Sequence, residues 1–243
     1  MTAHQADTFP KLLLEHAQAR PGRPAIREKD FGIWQTWTWS QVADEVRDLA
    51  CGLAAMGFKR GQNLAIVGDN RPRLYWAMAA VQALGGVPVP LYQDAVAEEM
   101  AFVLNNADVH FAVVEDQEQV DKLLEIKDRC PMLEHVVFDD PRGMRHYQQE
   151  FLHSFDEVRG LGRAHHEAHP DFYLDAVERG QGDQVAIMLY TSGTTGKPKG
   201  VCQTHRAFIE AARGGCGFDQ LGPADDVLSY LPMAWVGDHL FSY

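Results

Sequence analysis

Apolar side chains at Val42, Val46, Leu49, Ala50, Leu53 and Met56 recur at helical spacing, which gives this segment one continuous apolar side. Ser40 is placed to cap the helix at its start, and Gly57 stands where a left-handed residue would close it. Upstream, the pattern predicts a helix over 9–19. Two strand-like runs follow, 25–28 and 33–38, around the turn-like Lys29-Asp30-Phe31-Gly32, and together they predict a β-hairpin. Downstream, short apolar runs alternate with amphipathic ones. They read as strand 63–67, a helix opened by Asn70 and Pro72 and stopped by Gly85-Gly86, strand 87–91, helix 95–105, strand 110–114, helix 117–129 and strand 135–138. This order predicts an α/β fold: mostly parallel sheets with helices on both faces.

The periodicity loosens after Pro141, where histidines, glycines and charged residues crowd together, and this predicts an irregular connector over about 141–183. A buried strand over 185–190 then runs into the loop sequence TSGTTGKPKG at 191–200, with a helix over 204–213 and a strand over 227–231 beyond it. The expected division is a first α/β subdomain over 1–180 and the start of a second over 181–243.

Composition narrows the partners. Acidic residues outnumber basic ones 34 to 22, for a formal charge of -12, and no lysine or arginine run offers a track for a nucleic-acid backbone. The cysteines Cys51, Cys130, Cys202 and Cys216 form no CxxC pair, and a reducing cytoplasm is the simplest reading. The N-terminus lacks the pattern of a secretory signal. The longest apolar stretch, 74–92, is interrupted by Gln82, Gly85, Gly86, Pro88 and Pro90, which argues against a membrane span. Peripheral contact with a membrane stays open, as does the oligomeric state.

The chemistry concentrates in 191–200. Gly193, Gly196 and Gly200 let backbone N–H groups approach an anion closely, while Thr191, Ser192, Thr194 and Thr195 add hydroxyl donors, and Lys197 and Lys199 add positive charge. Phosphate is the natural ligand. A Walker loop would need glycine at 191 and Ser or Thr at 198, where this chain has Thr191 and Pro198. Ser192 is not in a GxSxG elbow, and no GxGxxG dinucleotide fingerprint is present. His165, His166 and His169 in HHEAH miss the HExxH spacing of a zinc helix, so they read as a solvated linker; Asp139-Asp140 and Asp225-Asp226 read as exposed turn residues.

The run YTSGTTGKPKGV at 190–201 closely resembles the phosphate-loop signature of the adenylate-forming (AMP-binding) superfamily. TWTWSQVADEV at 36–46, VQALGGVPVPLY at 81–92 and LPMAW at 231–235 lie in matching order. FDEVRGLG at 155–162 and LPMAWVGDH at 231–239 look most like the long-chain fatty acyl-CoA synthetases. The resemblance implies a ligase that joins a fatty acid to ATP, with Mg2+, and then passes the acyl group to coenzyme A. Other carboxylic-acid ligases share the same pattern. It implies that Thr191, Ser192, Gly193, Thr194, Thr195 and Gly196 hold phosphate, with Thr191 near magnesium, Lys199 neutralising charge during catalysis and Lys197 assisting. Trp235 matches the position bordering the acyl pocket, although an indole there could equally be ordinary core. His205 reads better as a packed or capping residue than as a functional one. The superfamily's adenine-binding segment, acidic magnesium partner, hinge and C-terminal domain with its catalytic lysine have no counterpart in 1–243. The chain is therefore expected to be an incomplete part of the large N-terminal domain, and a non-catalytic nucleotide-binding fragment is the alternative reading.

Overall fold

The computed structural model describes residues 6–191, 197–241 and 243. Helix α1 (Phe9–Ala19) precedes the antiparallel hairpin β1 (Pro24–Asp30) and β2 (Ile33–Thr38). Helix α2 (Trp39–Ala55) begins one residue earlier than its expected cap. Thr38 Oγ1 accepts from Gln41 N at 3.3 Å and Thr38 N donates to Gln41 Oε1 at 2.8 Å, a reciprocal capping box that leaves Ser40 inside the first turn. Gly57, at φ +98°, closes the helix as its position suggested.

The centre is a five-stranded parallel sheet of β3 (Asn63–Val67), β4 (Val87–Leu91), β5 (Val109–Val114), β6 (His135–Phe138) and β7 (Leu152–Ser154), in the order β4-β3-β5-β6-β7. The connecting helices are α3 (Pro72–Ala83), α4 (Ala97–Asn106) and α5 (Gln117–Ile126). Alternate residues of each strand enter opposite cores. Leu64 and Ile66 lie among α2 and α3 residues, whereas Ala65 and Val67 lie among α4 and α5 residues. Each fully buried leucine or valine contributes about 1.5–3 kcal/mol, so this two-sided burial fixes the register of the sheet.

The stretch over 141–183 is not irregular. It holds β7, α6 (Phe155–Ala168) and α7 (Phe172–Glu178), and α6 starts with its own capping box at Ser154 and Glu157. The sequence reading missed α6 because only a narrow face is buried, with Phe155, Val158 and Gly162 meeting α2. An added Cβ at Gly162 would lie 1.6 Å from Asp48 O, and one at Gly52 would lie 2.1 Å from Val158 O, so the two helices touch backbone to backbone. The HHEAH histidines form the end of α6 rather than a linker, and His165 packs 4.7 Å from the Phe172 ring.

Strands β8 (Val185–Thr191) and β9 (Lys199–Thr204) form an antiparallel pair, followed by α8 (His205–Asp219) and α9 (Val236–Phe241). The small sheets are thus antiparallel, and β9 fills the stretch between the expected loop and the expected helix, overlapping the loop at Lys199 and Gly200. The expected strand over 227–231 is not a strand. It has no partner strand among the described residues, and Val227, Leu228 and Tyr230 are exposed. β8 lies alongside β4 without a hydrogen-bonded ladder. Val87 N donates to Gln62 O on the β3 side, so the alternate positions Pro88 and Pro90 face the other edge, where they have no N–H to offer.

Candidate functional site

β8 is apolar on both faces because it is packed on both. Ile187 and Leu189 join the core of α2 and α3, while Met188 and Tyr190 pack on the core of α4 and α5. Gln82 Nε2, from α3, donates to Ala186 O at 2.9 Å, and Tyr190 Oη donates to Asn106 Oδ1 of α4 at 2.6 Å. The strand is therefore clamped before the loop starts. Burial pushes the Tyr190 hydroxyl above its ordinary range, which keeps it a donor.

At the end of this rigid strand Thr191 sits opposite Lys199, and Tyr190 sits opposite Gly200. The strands on either side of the glycine-rich run are therefore antiparallel neighbours. Gly200 packs closely: a Cβ there would stand 3.1 Å from Met188 Sδ and 3.2 Å from Tyr190 Cζ, so those side chains would have to shift to admit one. Thr191, Lys197 and Lys199 are all exposed at the mouth of the loop, and Lys197 Nζ lies 5.9 Å from the centroid of Phe102. Ser192, Gly193, Thr194, Thr195 and Gly196 lie outside the described residues. A hydroxyl and two ammonium groups at the ends of this run suit a polyphosphate anion.

Trp235 hangs on a different part of the molecule. Its indole is 49 % exposed and outside the core, while its neighbours Met233 and Ala234 are buried. The indole N–H faces the Tyr92 hydroxyl at the end of β4. His205, by contrast, is packed. It is the first residue of α8, 4 % exposed, and its Nδ1 accepts from Phe9 N at 3.4 Å.

Asp140 and Asp225 are turn residues, accepting from Arg142 N at 2.9 Å and Gly222 N at 2.6 Å. Asp139 departs from its expected exposure: it is drawn in and paired with Arg73 at 3.0 Å, and burial raises its carboxyl above the ordinary range. The sequence reading also missed a polar cluster of Asn70, Tyr75, Ser229 and Asp238, in which Tyr75 and Asp238 are buried. Its one visible trace is an aspartate in the apolar run LPMAWVGDH.

Residues 13–243 match the model of the AMP-binding enzyme family. The chain is 32% identical over 241 residues to the long-chain-fatty-acid–CoA ligase ACSBG2 of Rattus norvegicus, covering 96% of this chain and 35% of the relative. It is 29% identical over 235 residues to the Homo sapiens protein of that name, covering 94% and 34%. Among solved structures, acetoacetyl-CoA synthetase from Streptomyces lividans superposes with a TM-score of 0.79 at 20% identity, over 96% of this chain and 36% of that one. A putative long-chain-fatty-acid CoA ligase from Rhodopseudomonas palustris superposes with a TM-score of 0.77 at 18% identity, over 98% and 55%. The chain thus spans about a third of the length of the curated relatives it matches.

Proposed function

The chain belongs to the AMP-binding enzyme family, and from that premise we propose that the intact protein activates a fatty carboxylic acid with ATP and transfers the acyl group to coenzyme A. The carrying observation is the pairing of the clamped strand β8 with β9, which sets Thr191 opposite Lys199 at the two ends of the glycine-rich run. The rat and human relatives are long-chain-fatty-acid–CoA ligases, which supports the long-chain fatty acid as substrate class. Residues 181–243 then open a second α/β unit with the phosphate loop at its entrance. The exposed thiols of Cys202 and Cys216 suit a reducing cytoplasm.

In the first step a carboxylate oxygen attacks the α-phosphorus of ATP, and the bond to the bridging oxygen breaks to release pyrophosphate. Two anions approach and a third departs, so the site must offset negative charge on the β- and γ-phosphates. Lys199 supplies that charge from a strand position, and Thr191 supplies a hydroxyl beside it. Lys197 adds a second ammonium, while Gly200 keeps the strand opposite Tyr190 free of a side chain. Mg2+ bound with the triphosphate would supply further charge neutralisation, and Thr191 is the residue here suited to hold it. In the second step the coenzyme A thiolate attacks the acyl carbon, AMP leaves, and a thioester forms.

In the intact protein, Lys199→Ala is expected to lower carboxylate-dependent pyrophosphate exchange roughly 100-fold, and Thr191→Ala roughly tenfold. Exchange that is unchanged in both variants removes the phosphate role from this strand pair. Binding of ATP without any carboxylate-dependent exchange in the wild-type protein would favour a nucleotide-binding role instead.

A further inference from the structure

Asp238 is completely buried, and its partners are hydroxyls rather than cations. Tyr75 Oη lies 2.9 and 3.0 Å from its two carboxylate oxygens, and Ser229 Oγ lies 3.1 Å from Oδ1 and 2.6 Å from Tyr75 Oη. Asn70 Nδ2 donates to Ser229 Oγ at 2.8 Å. Tyr75 and Ser229 both donate to the Asp238 carboxylate and Asn70 donates to Ser229, while either hydroxyl can be the donor in the short Tyr75–Ser229 contact. Burial, together with the adjacent Asp238 charge, pushes the Tyr75 hydroxyl far above its ordinary range, so it stays protonated and donating.

A buried carboxylate is costly to keep, and an apolar residue of similar volume is often cheaper at such a site. The carboxylate ties Ser229, just before the turn that carries Trp235, to Asp238 just after it, and both to Tyr75 of α3; the turn itself is held by further bonds. Asp238 N donates to Trp235 O at 3.2 Å, and Trp235 N donates to Pro232 O at 2.8 Å. Asn70 Nδ2 also donates to Leu231 O at 2.8 Å, and His239 Nε2 contacts Met233 O at 2.6 Å. The backbone over 231–235 is therefore pinned at both ends and in the middle, while the indole alone is left outside against Tyr92.

We infer that Asp238, through Tyr75 and Ser229, is a positioning residue that fixes the Trp235 indole as one wall of the acyl site. This rests on the proposed ligase function and on Trp235 facing the acyl chain. Asp238 itself touches no substrate. A fixed indole sets how a long chain can lie beside it, so the effect belongs on the carboxylate and not on ATP.

The test uses the intact protein with short, medium and long carboxylates. Asp238→Ala is expected to raise KM for the long-chain acid roughly tenfold while KM for ATP changes less than about twofold. Asp238→Asn, whose amide oxygen still accepts from Tyr75, is expected to recover most of that loss. Tyr75→Phe combined with Asp238→Ala should be no worse than Asp238→Ala alone, because both act through one chain of bonds. Backbone amide exchange over 231–237 should quicken in Asp238→Ala and stay near wild type in Asp238→Asn. Should Asp238→Ala fail to fold, Ser229→Ala removes a single donor and the same KM ratio and exchange are read from it. Unchanged exchange, or an equal rise in both KM values, overturns the positioning role. Unchanged chain-length preference in Trp235→Ala overturns the acyl wall on which it rests, whatever the exchange shows. Loss of all carboxylate-dependent exchange in the wild-type protein is the separate signature of a failed ligase reading.

Discussion

Gly162→Ala lowers the unfolding free energy by about 3–5 kcal/mol, one of the largest losses expected from a single methyl group anywhere in this chain. The new Cβ would stand 1.6 Å from Asp48 O, 2.7 Å from Asp48 C and 2.8 Å from Gly52 N. All three are backbone atoms inside a helix, so no rotamer change relieves the clash. The helices must separate, and separation opens the seam where Val46, Leu49 and Leu53 meet Phe155 and Val158, all fully buried. It also disturbs the buried Asp48 carboxylate, held by Arg47 at 2.8 and 3.1 Å. Gly160 on the same helix is the control. A Cβ there meets only Arg163 Nη2 at 3.8 Å, so Gly160→Ala should be neutral or up to about 1 kcal/mol stabilising through helix propensity. Urea unfolding of the two variants checks the pair, and equal stabilities would refute the backbone-contact account.

Acid is expected to weaken the fold through His205. Burial pulls this imidazole down to about 4 from an unfolded value near 6.5, with Asp7 opposing and Lys11 reinforcing the shift. Its Nδ1 accepts a backbone N–H from Phe9, which only an unprotonated nitrogen can do. Below the unfolded value the unfolded chain binds the proton and the folded one does not, so stability is complete above pH 6.5. It falls as the pH approaches 4, by roughly 3 kcal/mol in all. Burial also lowers His239, His135 and His153, which steepens the same limb. In His205→Gln the slope of unfolding free energy against pH between about 4 and 6.5 should lose close to one proton. A slope identical to wild type would place the acid sensitivity elsewhere.

The parallel sheet was legible in the sequence because each of its first four strands is a short run with its own turn signal, and because Gly57 and Gly85-Gly86 mark two helix ends. Helix α6 was hidden because its buried face is only three residues wide, and one of them is a glycine whose purpose is contact with another helix. The pairing of Lys199 with Thr191 was hidden for another reason. KGVCQT is mostly exposed and shows no clear alternation, so its strand character comes from β8 rather than from its own residues. The apolar residues over 227–231 misled in the opposite sense, because hydrophobicity does not supply the partner strand that a ladder requires. At the site, residue types and spacing named the phosphate loop, but they gave no sign that Tyr190 is clamped to Asn106. The bonds from Asn70 and Tyr75 to Ser229 and Asp238 join residues more than 150 positions apart, beyond the reach of any local pattern.

The two prolines on the outer edge of β4 bear on how the chain is made as well as on how it packs. A growing polypeptide that has completed β3 to β7 would ordinarily offer an open strand to any neighbour, and on crowded ribosomes that is the usual start of edge-to-edge aggregation. Here one margin lacks donors at Pro88 and Pro90, and the other is β7, only three residues long. The half-made protein is thus poorly equipped to template a foreign strand during the interval before β8 and β9 emerge. Restoring N–H groups at 88 and 90 would spare the finished fold more than it would spare the nascent one.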